Sequence, residues 1–137
     1  MTNTAIAKSP SELDHQSESD LRDHIIGKTL EGFYRSADVL TGTHAYTETY
    51  HSDGRLIYDE KGLKDQGKWW IESDQLCHNY DSDNSEIDHC FYIFKDEFCF
   101  YYFEAFPSEP GKRHFSGKWN NRGLIRGQGK TCELPFV

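Results

Sequence analysis

Hydrophobic and polar positions in this chain alternate in short runs, divided by turn residues at hairpin spacing. Residues 1–18 show no such pattern. They are mostly small and polar, include Pro10, and predict a disordered arm ahead of one domain spanning 19–137. Ser19 or Asp20 can cap a short helix through Leu21, His24, Ile25 and Ile26. Leu21 and Ile25 are four apart and share a face, and Gly27 is the stop. About two turns of helix cannot stand alone, so this element must plug or flank one end of something larger.

From Lys28 the period falls to two. Strands are predicted over Thr29–Arg35, His44–His51, Arg55–Asp59, Gln66–Glu72 and Gln75–Tyr80. They continue over His89–Phe94, Phe98–Ala105, Arg113–Trp119 and Leu124–Lys130. Ser52-Asp53-Gly54, Ser73-Asp74, Lys95-Asp96-Glu97 and Asn120–Gly123 read as turns, and Lys61–Asp65 as a loop. No crossover is long enough for a parallel sheet. Sequential hairpins lie side by side, and a meander of this length removes its open edges by closing. The expected fold is all-β: an up-and-down antiparallel β-barrel of about eight or nine strands with a short N-terminal helix. A sandwich is the second choice. Such a barrel is filled by side chains or holds one small ligand.

Composition supports strands. Of the 137 residues 36% are hydrophobic, and eight Tyr, nine Phe and three Trp bring aromatics to 15%, too many for a disordered chain. No apolar run is long enough to span a membrane. The first residues lack a basic stretch followed by an apolar one, so a cytoplasmic, reducing environment is expected, with the four Cys as thiols. The net charge of −8 argues against nucleic-acid binding. It is uneven: residues 111–137 carry +5 and the remainder −13. That polarity fits two halves attracting each other, or an anionic ligand near the last strands.

The richest stretch is Gly67–Phe106, which opens on Gly67-Lys68-Trp69-Trp70 and ends in a dense aromatic run. A second Gly-Lys-Trp stands at Gly117-Lys118-Trp119, as hairpin grammar rather than a repeat array. In Phe91–Phe94 and Phe98–Phe103 both strand faces are apolar. One face can point into the barrel. The other must be covered by the helix, by the arm or by a second subunit. Parity nominates Tyr46, Tyr50, Trp69, Tyr92, Tyr101 and Arg126 as the lining of a ligand cavity.

Cys77-His78 and His89-Cys90 mirror each other across an acidic segment, Asp81–Asp88. Neighbours on a strand point to opposite faces, so these four cannot easily converge on one zinc ion, and no metal is assigned. In a hairpin Cys77 faces Cys90 or His78 faces His89. The Cys pair reads as small buried thiols, or as a disulfide in an oxidising compartment. Asp81–Asp88 begins like a calcium loop but has Glu86 where Gly is required and Tyr92 in place of the closing Glu, so it reads as a solvated hairpin tip. There is no phosphate loop, nucleophile elbow or HExxH, and no cofactor is expected. A cross-strand carboxylate–His pair, Glu48 with His44 or His114, is open to the sequence but not selected by it.

Leu30-Glu31-Gly32 after a short helix, Tyr50-x-x-Asp53-Gly54, Gly67-x-Trp69, and Leu76-Cys77 with Cys90 downstream resemble a family of small prokaryotic proteins of uncharacterised role. Their fold is a lipocalin-like, calycin-type barrel. The resemblance covers roughly residues 21–105 and implies a barrel with an apolar cavity. Many members are exported, and in them the paired Cys imply a disulfide. No catalytic residues carry over.

The leading expectation is therefore a barrel that binds a small apolar or aromatic ligand, with any carboxylate end met by Arg126 or Arg113. One alternative is a protein-interaction module or homodimer using the outer aromatic face. The other is a barrel isomerase or cyclase with an internal His or Glu base. The balance is against an enzyme.

Overall fold

The computed structural model describes residues 13–35, 45–83, 87–106, 118–128 and 132. Among the described residues nine strands run β1 (Asp14–His15), β2 (Thr29–Tyr34), β3 (Ala45–Tyr50), β4 (Arg55–Glu60), β5 (Leu63–Glu72), β6 (Gln75–Tyr80), β7 (His89–Asp96), β8 (Cys99–Glu104) and β9 (Asn121–Ile125). One helix, α1 (Glu18–His24), separates β1 from β2. Strands β2 to β9 pair in sequence order, all antiparallel, and β9 pairs back onto β2, closing an eight-stranded up-and-down barrel. The predicted fold class is the observed one.

Strand β1 is the extra element. Strand β7 gives its first residues to β6 (Cys77↔Cys90, His78↔His89) and its later ones to β1 (Asp14↔Lys95, His15↔Phe94). The arm thus fills the edge that β6 leaves free, which is how a chain protects an unpaired ladder. Residues 13–17 are structured, so the predicted arm is shorter than 1–18; residues 1–12 lie outside the described ones.

Helix α1 starts two residues earlier than expected. Ser17, not Ser19 or Asp20, is the N-cap: its Oγ accepts from the Asp20 N–H at 3.2 Å, while Asp20 accepts from the Ser17 N–H at 3.0 Å. Those bonds hold the Asp20 carboxyl below its ordinary pKa. Removing the cap by Ser17→Ala is expected to destabilise the protein by about 1 kcal/mol, read as a lowered urea midpoint with unchanged slope. Leu21 and Ile25 are fully buried, and Gly27 (φ 81°) ends the segment. The Glu18 N–H donates to Asp74 in the β5–β6 turn, and the Gly27 N–H donates to Tyr50 O at the end of β3. The helix therefore spans one mouth of the barrel and plugs it.

Two turns differ from prediction. The Lys61–Asp65 loop is a two-residue turn, Lys61-Gly62, with φ of 51° and 83°, so β5 starts at Leu63. Asn120–Gly123 is not a turn: Asn121–Ile125 is β9, and the chain turns at Gly127 (φ 94°) instead. Gly123 reads as a breaker, yet here it serves strand approach. A Cβ would stand 2.5 Å from Glu31 O and 3.0 Å from Leu30 Cγ. Of the predicted strand Arg113–Trp119 only Lys118 and Trp119 are described, and neither is in a strand.

The interior packs Leu30, Tyr50, Leu56, Trp69, Leu76, Phe91, Ile93, Phe100, Tyr102 and Ile125 against Leu21 and Ile25. The outer aromatic face forms a second cluster of Tyr92, Phe94, Cys99, Tyr101, Phe103 and Trp119, with Leu13, Ala105 and Cys132 against it. It is covered by the chain's own arm and tail, not by α1. The two Gly-Lys-Trp tryptophans are thus not equivalent: Trp69 is inside and Trp119 outside.

Candidate functional site

The inward positions of β2, β3, β6, β7, β8 and β9 set up the site. A cavity of about 360 Å³ lies at the end opposite the helix. Tyr34, Tyr80 and Phe91 give it aromatic walls. Glu48, His78, His89 and Glu104 give it titratable ones, and Asn120 and Asn121 the remainder. Tyr34, Tyr80, His89, Glu104 and Asn121 stand at or next to strand ends, while Glu48 lies deeper, mid-strand in β3. No Lys or Arg lines the cavity among the described residues.

Glu48 is 4% exposed. The Tyr80 hydroxyl donates to its Oε2 at 2.5 Å, and Tyr50 supplies a second hydrogen bond. Among the described residues no basic side chain pairs with it. Burial pushes its carboxyl up to about 7, and the two hydroxyls offset only part of that rise. His78 is 8% exposed and its buried Nδ1 has no hydrogen-bond partner. Burial, then the neighbouring His89, lowers its pKa to about 4, so it is neutral at pH 7. The His78 and His89 rings lie 5.6 Å apart, and His78 packs on Phe91 and Tyr80 at 5.4 and 5.0 Å.

Behind the cavity is a tyrosine ladder. Tyr34 stacks on Tyr46 at 4.5 Å, Tyr46 on Tyr58 at 5.4 Å, and Tyr58 meets Tyr80 edge-on at 5.6 Å. Tyr34 donates to the Tyr58 hydroxyl at 3.0 Å, and Tyr50 and Tyr102 share a hydrogen bond at 3.1 Å. The Asn121 amide donates to the Tyr46 hydroxyl. Gly32 makes room for this ladder: a Cβ there would come within 2.6 Å of the Tyr46 ring. Burial raises the pKa of all these hydroxyls, so they remain protonated donors around Glu48.

The predicted lining residues divide. Tyr46, Tyr50 and Trp69 point into the barrel, but they pack behind or below the cavity rather than on its surface. Tyr92 and Tyr101 face outward into the second cluster. Arg126 is exposed, 3.8 Å from Glu31. The error at Tyr92 and Tyr101 is one of parity in two strands apolar on both faces. Arg113, His44 and His114 lie outside the described residues. The missed residues left one signal. Glu48 shares its face with Tyr46 and Tyr50, and a carboxylate on an otherwise aromatic parity needs a reason to be buried.

The Cys pair resolves as the register dictates. Cys77 and Cys90 are cross-strand partners with Cα atoms 4.0 Å apart, and they are disulfide-bonded. A second disulfide joins Cys99 to Cys132. The four are therefore not thiols. Glu72 lies beside the first bridge, but bonded sulfurs carry neither a proton nor the free thiolates that a metal ion would need. Together with His78 and His89 turned inward, this leaves no shared Cys₂His₂ site.

Fold and site define a closed β-barrel with a plugged base and a partly polar cavity at its other mouth. No family model matches the chain, and neither a curated relative nor a solved structure matches it. No helix among the described residues is long and apolar enough to cross a membrane.

Proposed function

We propose that the barrel binds a small molecule in this cavity, in the manner of lipocalin-like (calycin-type) proteins. One observation carries the reading. Two buried ionisable groups, Glu48 and His78, line a cavity of about 360 Å³, and among the described residues the first has no charged partner and the second no hydrogen bond at Nδ1. Buried polar groups left this way are expensive unless a ligand or ordered water completes them. The volume is at the lower end of small-molecule sites, and aromatic walls with a few convergent polar groups are their usual lining. The walls suit an amphipathic aromatic compound better than a wholly apolar one, and Arg126 is too far outside to meet a carboxylate. Two disulfides support an oxidising compartment over the cytoplasm.

The test is protein-observed NMR with a library of aromatic fragments. Saturable shifts at Tyr34, His78, Tyr80 and His89 are expected. Binding confined to other surfaces, or no binding at all, would count against the proposal.

A second reading, proton transfer of the isomerase or cyclase kind, rests on Glu48 and His78 being shifted in opposite senses within one cavity. Its signature is protein-catalysed deuterium uptake at a carbon of a bound ligand, lost in Glu48→Gln. The outer-face interaction module has no such support, because that face is buried under Leu13, Trp119 and Cys132.

A further inference from the structure

The cavity's charge is one-sided, and from that we infer that its ligand is a small organic cation: a protonated amine carried on a flat, apolar group. This rests on the cavity being a binding site and adds the class of compound it takes. The lining can develop negative charge at Glu48 and Glu104, and it holds no Lys or Arg among the described residues. Glu48, once ionised, is a buried anion whose partners are hydroxyls, Tyr80 and Tyr50, rather than a cation. An uncompensated buried charge is costly, and a bound ammonium group is the compensation the site lacks. Tyr34, Tyr80 and Phe91 put three aromatic rings in the lining, and a cation is attracted to such rings. His78, neutral and with Nδ1 unpartnered, accepts an N–H there in its Nε2–H tautomer and is not a competing positive charge. The chain's net charge of −8 favours the approach of cations as well.

The pH dependence follows from what faces Glu48. Tyr34 comes from β2, Tyr58 from β4, Tyr80 from β6 and Tyr102 from β8, all neutral phenols. Glu104, His78 and His89 complete the titratable lining. Cation affinity should therefore rise as Glu48 loses its proton, and fall in acid.

The experiment compares benzylamine, benzyl alcohol and benzoate, three probes of nearly one size, by NMR titration against the whole protein. At about pH 8 benzylamine should bind roughly tenfold or more tighter than benzyl alcohol, with benzoate weakest. At about pH 5 that advantage should shrink severalfold as Glu48 takes up its proton. In Glu48→Gln, checked for folding by its melting curve, the advantage should fall at both pH values to the smaller one that Glu104 leaves, and its difference between them should be lost. The pH series on the unaltered protein decides the matter if that variant does not fold. Alcohol or benzoate shifting the cavity residues as tightly as the amine would overturn the cation inference and leave cavity binding standing. No probe shifting Tyr80, His78 or His89 would overturn both.

Discussion

Reduction with a dithiol is expected to bring this protein to the edge of unfolding at room temperature. The bridges close segments of 13 and 33 residues that do not overlap in the chain. Chain-entropy arithmetic then gives about 3 kcal/mol for Cys77–Cys90 and about 4 kcal/mol for Cys99–Cys132. Their combined effect of about 7 kcal/mol compares with the roughly 5–15 kcal/mol that holds an ordinary domain together. The melting temperature should fall by more than about 15 °C. The double variant Cys99→Ala/Cys132→Ala should lose more than Cys77→Ala/Cys90→Ala. The first bridge only reinforces a pairing the barrel already makes, whereas the second ties the tail to β8, next to the Trp119 cluster. Four reactive thiols in the native protein, or one melting curve with and without dithiol, would sink this expectation.

The second large effect is a pH dependence of stability that appears when either of two buried groups is removed, because in the unaltered protein their contributions nearly cancel. Glu48 has its folded pKa raised to about 7 from 4.5. Its contribution is fully present below about pH 4.5 and is lost as pH rises through about 7, a loss of about 3 kcal/mol. His78 has its folded pKa lowered to about 4 from 6.5. Its contribution is fully present above about pH 6.5 and is lost as pH falls through about 4, again about 3 kcal/mol. Between about pH 4.5 and 6.5 the two slopes cancel, so the sum is nearly level, with a shallow maximum of less than about 1 kcal/mol near pH 5.5. Glu48→Gln should uncover the His78 slope, stability rising by about 3 kcal/mol from about pH 4 to 6.5, and His78→Phe, placed beside Phe91, the opposite slope, a fall of about 3 kcal/mol from about pH 4.5 to 7. Urea midpoints measured across this range would show it. A midpoint that stays level across this range in both single variants, or a fall with rising pH between about 4.5 and 7 that survives Glu48→Gln, would refute the assignment.

The same two residues show how far the chain is legible without its structure. Period-two alternation, Gly54, and the paired turn residues Ser73-Asp74 are local signals, and they specify hairpins, hence a meander, hence closure. They also set which residues share a face, so Tyr46, Glu48 and Tyr50 are a unit in the sequence. Where both faces are apolar, as in Phe91–Phe94 and Phe100–Phe103, parity carries no inside or outside. Tyr92 and Tyr101, which parity puts inside, face the outer cluster for that reason. Gly123 and Arg126 show the same limit at β9. A glycine that ends one strand and a glycine that lets two strands close are the same letter.

What the sequence by itself determined is the fold class, a closed antiparallel barrel with a short helix, because strand period, turn chemistry and edge protection all act between near neighbours. It also determined that Cys77 could meet Cys90 or His78 meet His89, since both pairings follow from one hairpin. Only the tertiary structure decided that both pairings hold at once, the sulfurs bonded outside and the imidazoles turned inward. Closure likewise decided that Glu48 of β3 meets Tyr80 of β6, 32 residues away. Which side chains share a cavity depends on how strands far apart in sequence are wrapped around one axis, and on which mouth the helix fills. Burial, not residue type, then sets the protonation of Glu48 and His78.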